Sequence, residues 1–208
     1  MSDSVVWLYA VEDQAEISTD QKIRAILRSH FPADSLPSGD TLTISRSSRG
    51  KPFLPTLPGW HISVTHSGKW FICAFSQMQI GIDLQEHSLL PGETGQQALD
   101  RYLKIARRFF HPMEADYVAL APQDNFFPVW TAKESFVKYT GQGMDADFDA
   151  FSVLPPSHVS SHIPINTPWC TAQASFCQIP LWDGYTFCIC SASPCQLRWF
   201  FPNAEELW

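Results

Sequence analysis

Two acidic residues lie where an acidic side chain is unusual, one within an apolar strand pattern and one on a helix. Asp83 belongs to the apolar segment 80–84, and burying its carboxylate is costly unless it is paired or bound to a metal. Glu134 lies one helical turn before Lys138, so a carboxylate and an ammonium project from one face. Such oxygen ligands are what Mg²⁺ prefers, completed by water and a substrate phosphate. A strand-end aspartate bonded to a turn, and an exposed ion pair, are the alternatives that these residues leave open.

Two further segments carry groups that could hold a phosphate. Arg46, Arg49 and Lys51 place three cations on a short loop that contains glycine. Thr65 and His66 lie where a predicted strand meets a turn, and both side chains can donate a hydrogen bond. An ordinary solvated loop explains the first segment as well as a phosphate site does, and a turn-capping histidine is the commoner outcome for the second.

The hydrophobic periodicity predicts which elements position these groups. The predicted strands are residues 5–10, 41–45, 60–65, 70–76, 80–84, 151–154, 169–179 and 185–192, and the predicted helices are residues 19–31, 96–109, 113–120 and about 127–140. Each half of the chain therefore offers antiparallel strands and helix. The pattern predicts an α+β fold of two lobes, residues 1–78 and 79–208, with a site between them.

Composition limits the classes of partner. The chain has 208 residues with 14 Lys+Arg against 21 Asp+Glu, a net charge of -7 that argues against nucleic acid or an anionic membrane as partner. No apolar run approaches the roughly 20 residues of a membrane helix. The six cysteines lack metal-site spacing, and the N-terminus lacks the pattern of a signal peptide, so the predicted location is the cytoplasm.

The four segments occur together, in one order. The sequence has Gly-Lys-Pro at 50–52, Thr-His-Ser-Gly at 65–68, Gly-Ile-Asp at 81–83 and Trp-x-x-Lys-Glu-x-x-x-Lys at 130–138. This set resembles the Sfp-type 4'-phosphopantetheinyl transferases over most of the chain. The resemblance implies a monomer of two pseudo-symmetric lobes, each a small antiparallel sheet packed with helix, that binds coenzyme A and Mg²⁺ in the cleft between them.

The same resemblance implies a function and a set of site residues. The expected reaction is transfer of the phosphopantetheine arm of coenzyme A to a serine of an apo acyl- or peptidyl-carrier protein, as in holo-[acyl-carrier-protein] synthases of secondary-metabolite or fatty-acid synthesis. Asp83 and Glu134 would hold Mg²⁺, and Glu134 and Lys138 would be catalytic, with the proton passing to Glu134 directly or through a metal-bound water. The residues expected to bind the co-substrate are Arg46, Lys51, Thr65, His66, Asp83, Lys133 and Lys138.

Some features of the sequence depart from this family pattern. Gln85 stands where many relatives carry a second acid, so either this amide or a water would complete the metal site. Apart from this departure, Arg101, Lys104 and Arg108 lie on one face of the helix 96–109, with Arg107 beside them, and this basic stripe is either a docking surface for the carrier or a solvated face. A coenzyme A pyrophosphohydrolase and a non-catalytic carrier-binding module are the alternative functions.

Overall fold

The computed structural model describes residues 5–32, 42–143, 147–154 and 161–208, and in these ranges it is a mixed helix and sheet protein. The strands are β1 (Val5–Glu12), β2 (Ser45–Arg46), β3 (Pro52–Phe53), β4 (His61–Ser67), β5 (Trp70–Ser76), β6 (Ile80–Glu86), β7 (Ser161–Asn166), β8 (Thr171–Ile179), β9 (Tyr185–Ser191) and β10 (Gln196–Phe200). The helices are α1 (Thr19–His30), α2 (Gly95–Phe109), α3 (Pro112–Leu120), α4 (Pro122–Thr140) and α5 (Ala204–Leu207). The predicted α+β class is confirmed. None of the described helices has the length and apolar character needed to cross a membrane.

Two four-stranded sheets pack face to face. The first has the strand order β10-β1-β5-β4 and the second β6-β9-β8-β7. Leu8 and Ile72 of the first sheet share one apolar core with Ile82 and Ile189 of the second. Helix α1 packs on the outer face of the first sheet, and α4 packs on the outer face of the second. The layers therefore run helix, sheet, sheet, helix, which places β6 directly against α4.

The last strand returns to the first sheet. Strand β10 pairs with β1 in parallel, whereas all the other pairs of strands in the two large sheets are antiparallel. Residues 196–200 thus complete a sheet that otherwise comes from the first part of the chain. The predicted division between residues 78 and 79 stays a prediction. Because β10 pairs with β1, the last residues of the predicted second lobe belong to the first sheet.

Two predicted strands differ in the structure. Residues 151–154 form no strand, because side chains bind their backbone: Lys133 donates to the carbonyl of Phe151, and Glu114 accepts from the amide of Val153. The prediction for 41–45 begins at residue 41, which lies outside the described residues, and the short strand here is β2.

Helix α4 begins five residues earlier than predicted. Pro122 is at the start of the helix, where its missing amide proton costs nothing, and Pro128 is accommodated within it. The helix ends at Gly141, which adopts a left-handed φ of 76° and whose amide donates to the carbonyl of Val137.

A glycine allows β6 to lie unusually close to α4. A Cβ atom added at Gly81 would come within 2.0 Å of the carbonyl oxygen of Ser135 and 2.2 Å of the amide nitrogen of Tyr139. Both contacts are with helix backbone, which cannot move aside as a flexible side chain could. Because strand residues alternate, Asp83 projects from the same face of β6 as Gly81, toward α4.

Gly81→Ala is therefore expected to destabilise the fold and to disturb the site together. We expect a loss of about 3 kcal/mol in the free energy of unfolding, at the upper end of the usual range for overpacking, because the strand must move from the helix. Urea unfolding of this variant and of Gly95→Ala measures the difference. Position 95 has no neighbour within 4 Å of an added Cβ, so equal stabilities in the two variants would contradict the close approach.

Candidate active site

The carboxylate of Asp83 lies at the centre of the candidate site. The residue is 5% exposed. Its Oδ1 accepts hydrogen bonds from Lys138 Nζ at 2.7 Å and from Thr65 Oγ1 at 3.2 Å. Its Oδ2 is buried and has no hydrogen-bond partner among the described residues. Burial raises the pKa of Asp83, and the ammonium of Lys138 opposes this increase.

Glu134 is the second acid of the site. It lies on α4 one turn before Lys138 and is 5% exposed. Burial and, to a smaller extent, the negative charge of Asp83 raise the pKa of Glu134 to about 7, while the Lys138 ammonium acts in the opposite direction. The carboxyl group therefore changes its charge near neutral pH, as a general base requires.

These groups fit a divalent cation. A buried carboxylate oxygen without a donor is costly, and a hard cation that prefers oxygen ligands would satisfy it. Asp83 supplies that oxygen, and the charge of a cation would also favour the ionised form of Glu134. Within the described ranges, no cluster of three or more His, Cys, Asp or Glu side chains could hold a metal. Gln85 is partly buried and lies two residues after Asp83, on the same strand face. Its side-chain amide could supply a neutral oxygen ligand to the cation.

A cavity of about 220 Å³ opens beside Glu134 and beside Lys138, the partner of Asp83. Its lining includes Glu134 and Lys138 of α4, Ser63 of β4, and the loop residues Gly50 and Lys51. The structure thus brings the motifs at 50–52 and 130–138 to one cavity, although Lys51 and Glu134 are 83 positions apart in sequence.

Lys51 reaches the site in an unexpected way. Its Nζ donates to the carbonyl oxygens of Ile80 at 3.2 Å and Tyr139 at 3.0 Å, which are the first residue of β6 and the penultimate residue of α4. Burial lowers the pKa of this ammonium to about 8. Lys51 therefore ties its loop to the strand and helix that carry the acids, and it also borders the cavity.

Arg46 and His66 point elsewhere. Both terminal nitrogens of Arg46 donate to the carboxylate of Asp20 on α1, at 2.6 and 3.2 Å. His66 is exposed, on the strand face opposite to the buried Thr65. The structure does not gather these two residues around Asp83, and their predicted contacts with the nucleotide stay predictions.

Lys133 is placed differently from its predicted role in co-substrate binding. Its side chain is fully buried, and its Nζ donates to Glu114 Oε2 and to the carbonyl of Phe151, both at 2.6 Å. Glu114 also accepts from the amides of His111 and Val153. In this arrangement Lys133 has no access to a ligand in the cavity, and it instead joins α3, α4 and the segment after α4.

Comparison with known proteins shows the family of the chain. The sequence profile of the 4'-phosphopantetheinyl transferase superfamily matches residues 79–190, which include Asp83, Glu134 and Lys138. The chain belongs to this superfamily. Its relatives include the 4'-phosphopantetheinyl transferase Sfp of Bacillus subtilis strain 168, 30% identical over 182 residues that cover 84% of this chain and 72% of Sfp.

Other members of the superfamily match shorter stretches. A 4'-phosphopantetheinyl transferase of Bacillus subtilis is 34% identical over 151 residues, 70% of this chain and 61% of the relative. The L-aminoadipate-semialdehyde dehydrogenase-phosphopantetheinyl transferase of Rattus norvegicus is 28% identical over 131 residues, 57% of this chain and 41% of that relative. The matched region thus spans from about two fifths to nearly three quarters of the length of these relatives. The Sfp-type assignment made from the motifs is confirmed.

Sequence reasoning missed three residues that bind the elements around the site: Glu114, Ser63 and Ser67. Glu114 was not singled out, although a lysine in a helix segment as apolar as that around Lys133 requires a buried acid nearby. The alternating hydroxyls of Ser63 and Ser67, which flank Thr65, were also given no role. Their spacing of two in a strand is the signal that all three face one neighbour.

Proposed function

We propose that this protein transfers the 4'-phosphopantetheine arm of coenzyme A to a serine of an apo acyl- or peptidyl-carrier protein, in a Mg²⁺-dependent reaction that releases adenosine 3',5'-bisphosphate. Because the chain belongs to the phosphopantetheinyl transferase superfamily, one structural observation is enough to support the proposal. The buried Oδ2 of Asp83 has no hydrogen-bond partner among the described residues, and Oδ1 of the same carboxylate binds Lys138, which lines the cavity together with Glu134.

In this proposal Asp83 and Glu134 hold the cation. A bound Mg²⁺ would neutralise charge on the pyrophosphate oxygens during the transfer. The carboxylate of Glu134 accepts the proton of the attacking serine hydroxyl, because burial raises the pKa of this group above its ordinary value while a bound cation would keep it ionised and ready to act as a base. Lys138 uses one N–H on Asp83 and retains two for oxygens of the departing phosphate, and its side chain is 30% exposed.

The fold supports a further part of the proposal. The two sheets, each covered by helix on its outer face, would be the two pseudo-symmetric lobes, and the cavity beside α4 would be part of the cleft for coenzyme A. The carrier would dock as an acidic partner on the exposed cations Lys104, Arg107 and Arg108 of α2. Arg101, also in the predicted stripe, is paired with Glu93.

Mass spectrometry of an apo-carrier incubated with the protein, coenzyme A and Mg²⁺ tests the proposed reaction. The expected product is the phosphopantetheine adduct, formed together with adenosine 3',5'-bisphosphate. Bisphosphate without adduct would indicate the pyrophosphohydrolase instead. If neither product forms but the carrier still binds, the protein would be a non-catalytic carrier-binding module.

Lys51→Met is expected to raise the KM for coenzyme A and for 3'-dephospho-coenzyme A by the same factor, about fivefold to tenfold. The reason is that the Lys51 ammonium already binds two backbone carbonyls, so its loss displaces the loop rather than removing a phosphate contact. Steady-state kinetics with both substrates measure the two factors.

His66→Ala is the matched comparison. The imidazole of His66 is exposed and is expected to contact the 3'-phosphate of the nucleotide. His66→Ala should therefore raise the KM for coenzyme A and leave the KM for 3'-dephospho-coenzyme A unchanged. A loss in Lys51→Met that disappears with 3'-dephospho-coenzyme A would show that Lys51 contacts the 3'-phosphate.

A further inference from the structure

A row of three hydroxyl groups joins the two sheets. Strands β4 and β6 are the edge strands of different sheets, and no backbone ladder connects them. Instead, side chains of β4 accept hydrogen bonds from backbone amides of β6: Ser63 from Ile82 at 3.0 Å, Thr65 from Leu84 at 3.1 Å and Ser67 from Glu86 at 2.8 Å. The regular spacing of two along both strands shows that this is one continuous seam.

Thr65 differs from the two serines. Its Oγ1 also donates to Asp83 Oδ1 at 3.2 Å, whereas in the described part of the chain neither serine hydroxyl bonds to this carboxylate. Thr65 and Lys138 thus both bind the same oxygen of Asp83 and leave the other without a donor. The orientation of the carboxylate is set by these two contacts.

A threonine hydroxyl has only one proton to donate. Phosphate oxygens only accept at neutral pH, so a contact with the nucleotide would require the proton that Thr65 now gives to Asp83. Thr65 is also 5% exposed, and its acceptor side already binds the Leu84 amide. The single hydroxyl proton of Thr65 is therefore already used within the protein.

We propose that Thr65 is a positioning residue for Asp83, which turns Oδ2 of this carboxylate toward the divalent cation, and that it is not a contact of the nucleotide. The part of the cation in catalysis rests on the proposed function. The positioning itself concerns cation binding and is measurable without any carrier protein.

The test compares Thr65→Val with Thr65→Ser and with Ser67→Ala. Thr65→Val removes a seam bond and the contact with Asp83, Thr65→Ser keeps both, and Ser67→Ala removes a seam bond alone. Binding of Mn²⁺, used as the probe cation, is measured by electron paramagnetic resonance in the presence of coenzyme A. The KM for coenzyme A is measured at saturating Mg²⁺, and the melting temperature in EDTA reports the cost of the lost seam bond.

We expect Thr65→Val to bind Mn²⁺ about tenfold more weakly, as is usual when a partner of a metal-binding carboxylate is lost. Its KM for coenzyme A should stay within about twofold of wild type, since no nucleotide contact is removed. Thr65→Ser should restore the Mn²⁺ affinity. Ser67→Ala should melt a few degrees below the wild type, by about as much as Thr65→Val does, because each loses one seam bond. Its Mn²⁺ affinity should equal that of the wild type.

Three results would overturn the inference. One is an increased KM for coenzyme A in Thr65→Val with normal Mn²⁺ binding, which would make Thr65 a nucleotide contact. Another is equal weakening of Mn²⁺ binding in Ser67→Ala, which would make the effect a general shift of the strands. The third is a wild-type protein that binds no Mn²⁺.

Two provisions keep the test decisive. If Thr65→Val does not fold, Thr65→Cys takes its place, because a thiol is only a weak donor. If the wild type binds Mn²⁺ but forms no adduct on a carrier, the proposed function fails while the positioning of Asp83 is still tested by the binding data.

Discussion

Replacing Glu134 with glutamine is expected to lower kcat for carrier modification by at least about 10²-fold. Glutamine keeps the size of the side chain, but it can neither accept the proton of the serine hydroxyl nor offer a charged oxygen to the cation. Steady-state assays at saturating coenzyme A, Mg²⁺ and carrier measure the change. Glu16→Gln, a substitution of an exposed acid, is the control. Near-normal turnover by Glu134→Gln would show that another group is the base.

The same substitution should stabilise the protein at alkaline pH. The pKa of Glu134 is about 7 in the folded state and about 4.5 as the ordinary value, so the folded state holds this proton more tightly. That contribution to stability is fully present below about pH 4.5 and is lost as the pH rises through 7. In EDTA at pH 8.5, Glu134→Gln is therefore expected to be more stable than wild type, by at most about 3 kcal/mol.

Melting curves in EDTA at pH 5 and 8.5 measure this effect. The advantage of Glu134→Gln should be smaller at pH 5 and should shrink when Mg²⁺ is added to both proteins at pH 8.5, because a cation favours the ionised carboxylate of the wild type. An advantage that does not depend on pH would contradict the raised pKa.

Removing the carboxylate of Glu114 is expected to cause the largest loss of stability, about 3–5 kcal/mol for Glu114→Ala. The substitution leaves the ammonium of Lys133 fully buried, with the carbonyl of Phe151 as its one hydrogen-bond acceptor among the described residues and the ring of Phe151 at 4.0 Å. It also removes the acceptor for the amides of His111 and Val153. Urea unfolding at pH 7 measures the loss.

A double variant isolates the buried charge. Lys133→Met combined with Glu114→Gln removes both charges and keeps an amide oxygen as acceptor, so it should be more stable than either single substitution. Equal stabilities of the double variant and of Glu114→Gln, which keeps the same acceptor but leaves the ammonium of Lys133 in place, would show that the unpaired charge does not dominate the cost.

The sequence predicted most elements because their residues obey a local periodicity. Strands β4, β5 and β6 and the helices α2 and α3 begin and end within a few residues of their predicted bounds. The prediction is wrong for residues 151–154, whose backbone binds the side chains of Glu114 and Lys133. An apolar run of this length has the pattern of a strand, and only its distant partners show that it is not one.

The sequence also determined which acids could do chemistry. Asp83 is unusual in an apolar strand, Glu134 and Lys138 share a helix face, and the spacing of the motifs identifies the family. These statements depend on residue type and on the geometry of one element. They therefore required no knowledge of how the elements pack.

Only the tertiary structure decided what each cation and hydroxyl binds. Arg46, Lys51 and Lys133 contact Asp20, two backbone carbonyls and Glu114, partners that no local pattern indicates. Co-substrate binding by Arg46 and Lys51 stays a prediction, whereas Lys133 is buried away from the cavity. A sequence motif determines the type of a side chain and the face of the helix or strand on which it lies. The partner of that side chain belongs to another element, which packs close because apolar surface is buried between the two. Thr65 meets Asp83 for this reason, since β4 and β6 come together as the edges of two sheets that share one core.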